Sequence, residues 1–135
     1  MRVIIDTGPW IALIDRSEES HKKCVEWFQQ YEGEIFSTEP VLTEVLYLLN
    51  FSSTAQISAL DFVINGAITI VPSSIGSLTE VKELMKKYRD FPMDFVDGTL
   101  IELANDLGID TIVTLDRKHF NAYRLNKGRV FFIIP

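Results

Sequence analysis

The sequence predicts an α/β protein, a three-layer α/β/α sandwich around a roughly five-stranded parallel sheet. Two observations and one rule of sheet architecture predict it. Short β-branched runs alternate with stretches of helical periodicity from one end of the chain to the other. Strands separated by helices pair in parallel and are covered on both faces. Hydrophobic residues make up 47% of 135 residues, enough for one full core.

Each element has a local reason. Residues 2–6 form a buried strand, closed by Asp6 and Gly8. Thr7-Gly8-Pro9 opens a short helix to about Ile14, because proline is tolerated in a first turn. An amphipathic helix over 18–32 places His21, Cys24, Val25, Phe28 and Tyr31 (or Glu32) on one stripe, and Gly33 stops it. Residues 34–37 read as a second strand. Pro40 starts a helix with Thr38 or Glu39 as its cap and Val41, Val45, Leu48 and Leu49 as its inner stripe. A helix over 53–65 carries apolar Ile57, Leu60, Phe62 and Ile64, and Gly66 ends it. Ile68 to Val71 is a strand stopped by Pro72. A charged helix over 77–89 turns Leu78, Val81, Leu84, Met85 and Tyr88 inward. Pro92-Met93-Asp94 starts the next helix, which runs to Leu107 and is capped by Gly108. Strands at 111–115 and 130–134 finish the chain. No repeat, linker or low-complexity segment divides it, so residues 1–135 read as a single domain.

Composition narrows the function. No apolar run reaches the roughly 18 residues of a membrane span. Met1-Arg2 leads straight into a strand, which predicts no signal peptide. The lone Cys24 excludes a disulfide framework and a cysteine zinc site. The expectation is a soluble cytoplasmic protein. A net charge of −6 opposes broad electrostatic binding of nucleic acid. Lys86, Lys87 and Arg89, or Arg117, Lys118, Arg124, Lys127 and Arg129, form either a local basic rim or a solvated face.

Four acids stand where apolar residues or strand exits are expected. Asp6 ends Val3-Ile4-Ile5, and Asp116 follows Ile112-Val113-Thr114-Leu115. Both occupy carboxyl ends of strands, where parallel sheets bind ligands. Glu44 lies three residues after Val41 and four before Leu48, on an apolar stripe. Asp97 precedes Leu100 and Ile101 by three and four, with the same consequence. Clustered carboxylates repel each other and need compensation, which a hard divalent cation supplies. Oxygen-only ligands select Mg²⁺ or Mn²⁺. The competing reading makes the acids caps or buried acceptors: Asp6 holding the Thr7-Gly8 turn, Asp116 capping Arg117 to Phe120. Asp94 is either the N-cap of its helix or a metal contact.

The segments Val3-Ile4-Ile5-Asp6-Thr7, Thr43-Glu44-Val45, Pro92-Met93-Asp94-Phe95-Val96-Asp97 and Thr111 to Asp116 together resemble a PIN domain, of the small prokaryotic VapC-like kind. The resemblance covers nearly the whole chain. It implies a metal-dependent endoribonuclease with Asp6, Glu44, Asp97 and Asp116 as catalytic and metal-binding acids. It further implies RNA as substrate, Thr7 and Thr114 as hydrogen-bonding supports, Asp94 as an accessory acid, a homodimer, and a toxin neutralised by an antitoxin protein. Gly98 departs from the usual alanine after the third acid, at a cost of about 1 kcal/mol in helix propensity.

The alternative function is a catalytically silent PIN-like module that binds a protein, but such a module has no use for four inward acids. A receiver-like phosphoacceptor domain fits less well, since Glu44 is helical and Asp116 occupies the late strand end where a lysine is required. His21, His119, Cys24 and Trp27 are read as core or surface residues. Trp10 packs in the core or lines the mouth of the site.

Overall fold

Five short parallel strands form one sheet in the order β3-β2-β1-β4-β5. The computed structural model describes residues 1–135. The elements are β1 Arg2–Ile5, α1 Thr7–Ile14, α2 His21–Gln30, β2 Glu34–Thr38, α3 Glu39–Leu48, α4 Ser53–Ile64, β3 Thr69–Val71, α5 Ile75–Lys87, α6 Phe95–Leu107, β4 Thr111–Val113, α7 Arg117–Ala122 and β5 Phe132–Ile134, with a 3-10 turn at Asn126–Gly128 before β5.

The central strand explains the architecture. Val3, Ile4 and Ile5 of β1 are fully buried although their side chains alternate between faces, so both faces are covered. Strand β1 pairs with β2 through Val3 opposite Ile35, and with β4 through Ile4 opposite Ile112. The chain first builds outward from β1 to β2 and β3, then returns to the other side of β1 for β4 and β5. The direction reverses between β1 and β4, and the carboxyl ends of these two strands therefore open onto a crevice.

The core gathers Val3, Ile4, Ile5, Leu100, Ile101, Ile112, Val113 and Phe120 around this sheet. Trp10 lies fully within it and so lines no site mouth. No helix is long and apolar enough to cross a membrane.

Several elements differ in detail from the sequence pattern. Helix α5 begins earlier, at Ile75, because Ser74 and Ser77 form a reciprocal capping box. Leu78 and Met85 of α5 stay 39% and 36% exposed, and Val81 carries the buried contact. Leu48 of α3 is 49% exposed and turns away from the core. Helix α4 buries Ala59, while Ile57 and Ile64 face outward. Apolar residues surround that helix, so periodicity could not choose a face; the small Ala59 allows the closest approach. The segment around His119 forms a short helix, α7.

Gly98 has a packing reason. A Cβ there would lie 2.9 Å from Val81 Cγ1 and 3.5 Å from Met93 Sδ. Helices α5 and α6 approach closely at this point, and that contact offsets the propensity cost of glycine.

Candidate active site

Three helix N-termini meet at the crevice, and each is capped by an acid. Asp6 caps α1, Asp94 caps α6 and Asp116 caps α7. Asp6 Oδ1 accepts from the Thr7 backbone N–H at 2.7 Å. Asp94 Oδ1 accepts from the Asp97 N–H at 2.8 Å, which is the cap arrangement. Asp116 Oδ1 accepts from the His119 N–H at 3.1 Å. Capping and site membership were rival readings of single residues, yet Asp6, Asp94 and Asp116 are caps that also face one cavity of about 640 Å³.

Glu44 and Asp97 reach the same cavity from α3 and α6. With Glu18, which sequence reasoning did not single out, six carboxylates border it, and Thr7 and His119 stand beside them. None of the basic clusters lines it. No three His, Cys, Asp or Glu side chains gather closely enough to enclose an ion, so the acids ring a space rather than a point.

The acids are held by neighbours far away in sequence. The Thr114 hydroxyl donates to Asp6 Oδ2 at 2.8 Å and accepts from the Asp116 N–H at 3.0 Å, so one side chain couples two acids. The Asp6 N–H donates to Val113 O at 2.9 Å, which locks the end of β1 against β4. The Tyr123 hydroxyl donates to Asp97 Oδ2 at 2.7 Å. Sequence reasoning missed Tyr123. The only signal was an aromatic with a polar tip close after the fourth acid. Its ring is fully buried among Tyr88, Phe91 and Phe120, which pins the hydroxyl in place. His119, read as core or surface, is a cavity-wall residue. Its Nδ1 lies 3.0 Å from Asp116 Oδ1.

Burial dominates the electrostatics. The Asp6 carboxyl is pushed from 3.8 up to about 6, chiefly by desolvation, with smaller contributions from the charges of Glu44 and Asp116; its bonds to Thr7 and Thr114 act against the shift. The Asp97 carboxyl rises to about 7, again chiefly by desolvation, with the Tyr123 bond lowering it and Asp94, Asp6 and Asp116 raising it. Two carboxyls with these values, Asp6 buried and Asp97 half-buried at one cavity with like-charged neighbours, mark a site suited to a cation. Thr7 Oγ1 is buried against the same cavity with no hydrogen-bond partner. An all-oxygen donor set, repelling charges and an orphaned hydroxyl fit a hard divalent ion.

The model of the PIN domain family matches residues 3–125. The chain is a PIN domain. This PIN domain is 27% identical over 135 residues to ribonuclease VapC26 of Mycobacterium tuberculosis, across 98% of its own length and 100% of that protein. Among solved structures it is similar to M. tuberculosis VapC20, a toxin that cleaves the sarcin-ricin loop. The TM-score there is 0.77 at 19% identity, over 82% of this chain and 86% of the other. It is also similar to VapBC2 of Rickettsia felis bound to a promoter DNA fragment, with a TM-score of 0.70 at 18% identity and full coverage of both chains. These two likenesses concern the fold.

Proposed function

We propose that this PIN domain is an Mg²⁺- or Mn²⁺-dependent endoribonuclease, the toxin of a toxin–antitoxin pair, acting as a homodimer until an antitoxin protein binds it. The observation that carries the reading is the ring of Asp6, Glu44, Asp97 and Asp116 around one cavity at the sheet's switch point. The relation to ribonuclease VapC26 supports RNA as the substrate.

Asp6 and Asp97 are the principal metal-binding acids in this reading, and Glu44 and Asp116 complete the set. Asp94 acts through its cap, which sets the direction of Asp97 at the start of α6. Thr114 aims Asp6 and Tyr123 aims Asp97. A divalent ion held there would supply the positive charge that draws phosphate oxygens in and makes water a competent nucleophile. The chain's own part is to hold carboxylates pre-oriented and partly desolvated, where their field is strong. Water attacks the phosphodiester and one P–O bond breaks, so no side-chain nucleophile is needed.

A labelled single-stranded RNA tests this reading. The expected result is cleavage with Mn²⁺ or Mg²⁺, none with EDTA, and none by Asp97→Asn at an unchanged fold. Added Mn²⁺ should also raise Tm by binding linkage. Cleavage that survives both EDTA and Asp97→Asn would refute the reading.

A further inference from the structure

A second groove, of about 760 Å³, adjoins the acidic cavity, and Glu44 lines both. Its walls come from two helices and the loop after β3, with Tyr47 from the end of α3 and Phe95 as the first residue of α6. Both rings are open to solvent, Tyr47 at 70% and Phe95 at 41%. Pro40 and Pro72 add rigid apolar surface, and Thr43 and Ser73 add hydroxyls.

We propose that Tyr47 and Phe95 form a stacking slot for one unpaired base of an RNA strand whose scissile phosphodiester lies in the acidic cavity. This rests on the ribonuclease reading above. The chemistry of the groove favours a base over the sugar–phosphate backbone. No lysine or arginine lines it, and its charges, Glu39 and Glu44, repel phosphate. A base is flat, neutral and has a π-face, which suits exposed aromatic rings. The placement is also right: Glu44 lines both spaces, and Phe95 stands between Asp94 and Asp97 in the chain, so the slot borders the metal-binding acids. The Ser73 hydroxyl can give or accept a hydrogen bond, and the Thr43 hydroxyl, which donates to Glu39 O at 3.1 Å, can accept one. They leave the slot tolerant of base identity and make Tyr47 and Phe95 contributors to substrate hold and register, not to the reaction step.

The test pairs a protein change with a substrate change. A labelled RNA with one defined cleavage position is prepared intact and with a single abasic ribonucleotide placed in turn at each position flanking the cut. The wild-type protein should lose about tenfold in kcat/KM at one flanking position, mostly through KM, as one stacked base predicts. Tyr47→Ala should lose about tenfold on the intact RNA and nothing further on that abasic RNA. Tyr47→Phe should behave as wild type. Thermal unfolding of Tyr47→Ala should match wild type, because the ring is exposed. Phe95→Ala should repeat the pattern with a smaller loss, since Phe95 is the more covered ring.

Cleavage by the wild type that ignores every abasic position overturns the slot and leaves the ribonuclease reading standing. So does additive loss, in which Tyr47→Ala remains as sensitive to the abasic site as wild type. A fall to monomer mass in light scattering for Tyr47→Ala, with abasic sensitivity retained, would assign the groove to contact between two copies and likewise overturn the slot. Failure of the wild type to cut any RNA with Mn²⁺ would sink the ribonuclease reading and the slot together.

Discussion

Replacing Asp6 by asparagine should stabilise the metal-free protein at neutral pH and change it little near pH 4.5. The sign follows from the direction of the shift. The Asp6 carboxyl is raised in the folded state, from 3.8 to about 6, so folding favours the protonated form. The unfolded chain ionises first as pH rises. Stability is therefore highest below about 3.8, falls as pH climbs through the window, and has lost its full share above about 6. A shift of about two units corresponds to about 3 kcal/mol, and the group is buried enough for that conversion to hold as an order of magnitude. Asparagine removes the ionisation and keeps a carbonyl oxygen for the Thr7 N–H. Its amide cannot accept the Thr114 hydroxyl, which costs about 1 kcal/mol. The balance is a gain of about 2 kcal/mol at pH 7.5, about zero near pH 4.5, and a loss of about 1 kcal/mol only below about pH 3.8. Unfolding entropy of about 2.1 cal/mol/K per residue converts these to a Tm about 7 °C higher at pH 7.5 and about unchanged near pH 4.5 for a chain of this size. Thermal unfolding in EDTA across that pH range measures both. Mn²⁺ should reverse the wild-type trend, since the ion prefers the ionised carboxylates that alkaline pH supplies. A variant-minus-wild-type difference that does not change between the two pH values would refute the reasoning.

Other outcomes follow from the same geometry. Tyr123→Phe should stay folded but bind Mn²⁺ about ten- to a hundredfold more weakly, because Asp97 loses the hydroxyl that orients it; calorimetry reads this directly, and unchanged affinity would remove Tyr123 from the site. Asp94→Ser should retain most stability and activity, whereas Asp94→Ala should lose about 1 kcal/mol with the cap, and Asp97→Ser should be folded and inactive at saturating Mg²⁺. Equal inactivity of Asp94→Ser and Asp97→Ser at normal stability would make Asp94 a metal ligand. Gly98→Ala should lower stability by about 1 kcal/mol despite its better helix propensity, as the new methyl meets Val81; a second change, Val81→Ala, should make the added methyl favourable in denaturant unfolding.

What the sequence determined by itself is local. Strand runs ending in Asp6 and shortly before Asp116, helix stripes interrupted by Glu44 and Asp97, and Gly108 in the left-handed conformation at the end of α6 all follow from backbone propensities and side-chain periodicity within a few residues. Those rules also exposed the four acids as misfits. Tertiary structure alone decided the sheet order, which brings the ends of β1 and β4 together and makes Asp6 and Asp116 neighbours across 110 residues of chain. It also decided that Thr114 ties Asp6, that Tyr123 ties Asp97, and that Leu48 and Ile57 face outward while Trp10 is sealed in. The physical reason is the same in each case. A hydrogen bond between distant residues and the choice of which face to bury, in a helix with apolar residues on several sides, depend on which surfaces meet after the chain has folded back on itself, and no periodicity along the chain encodes that.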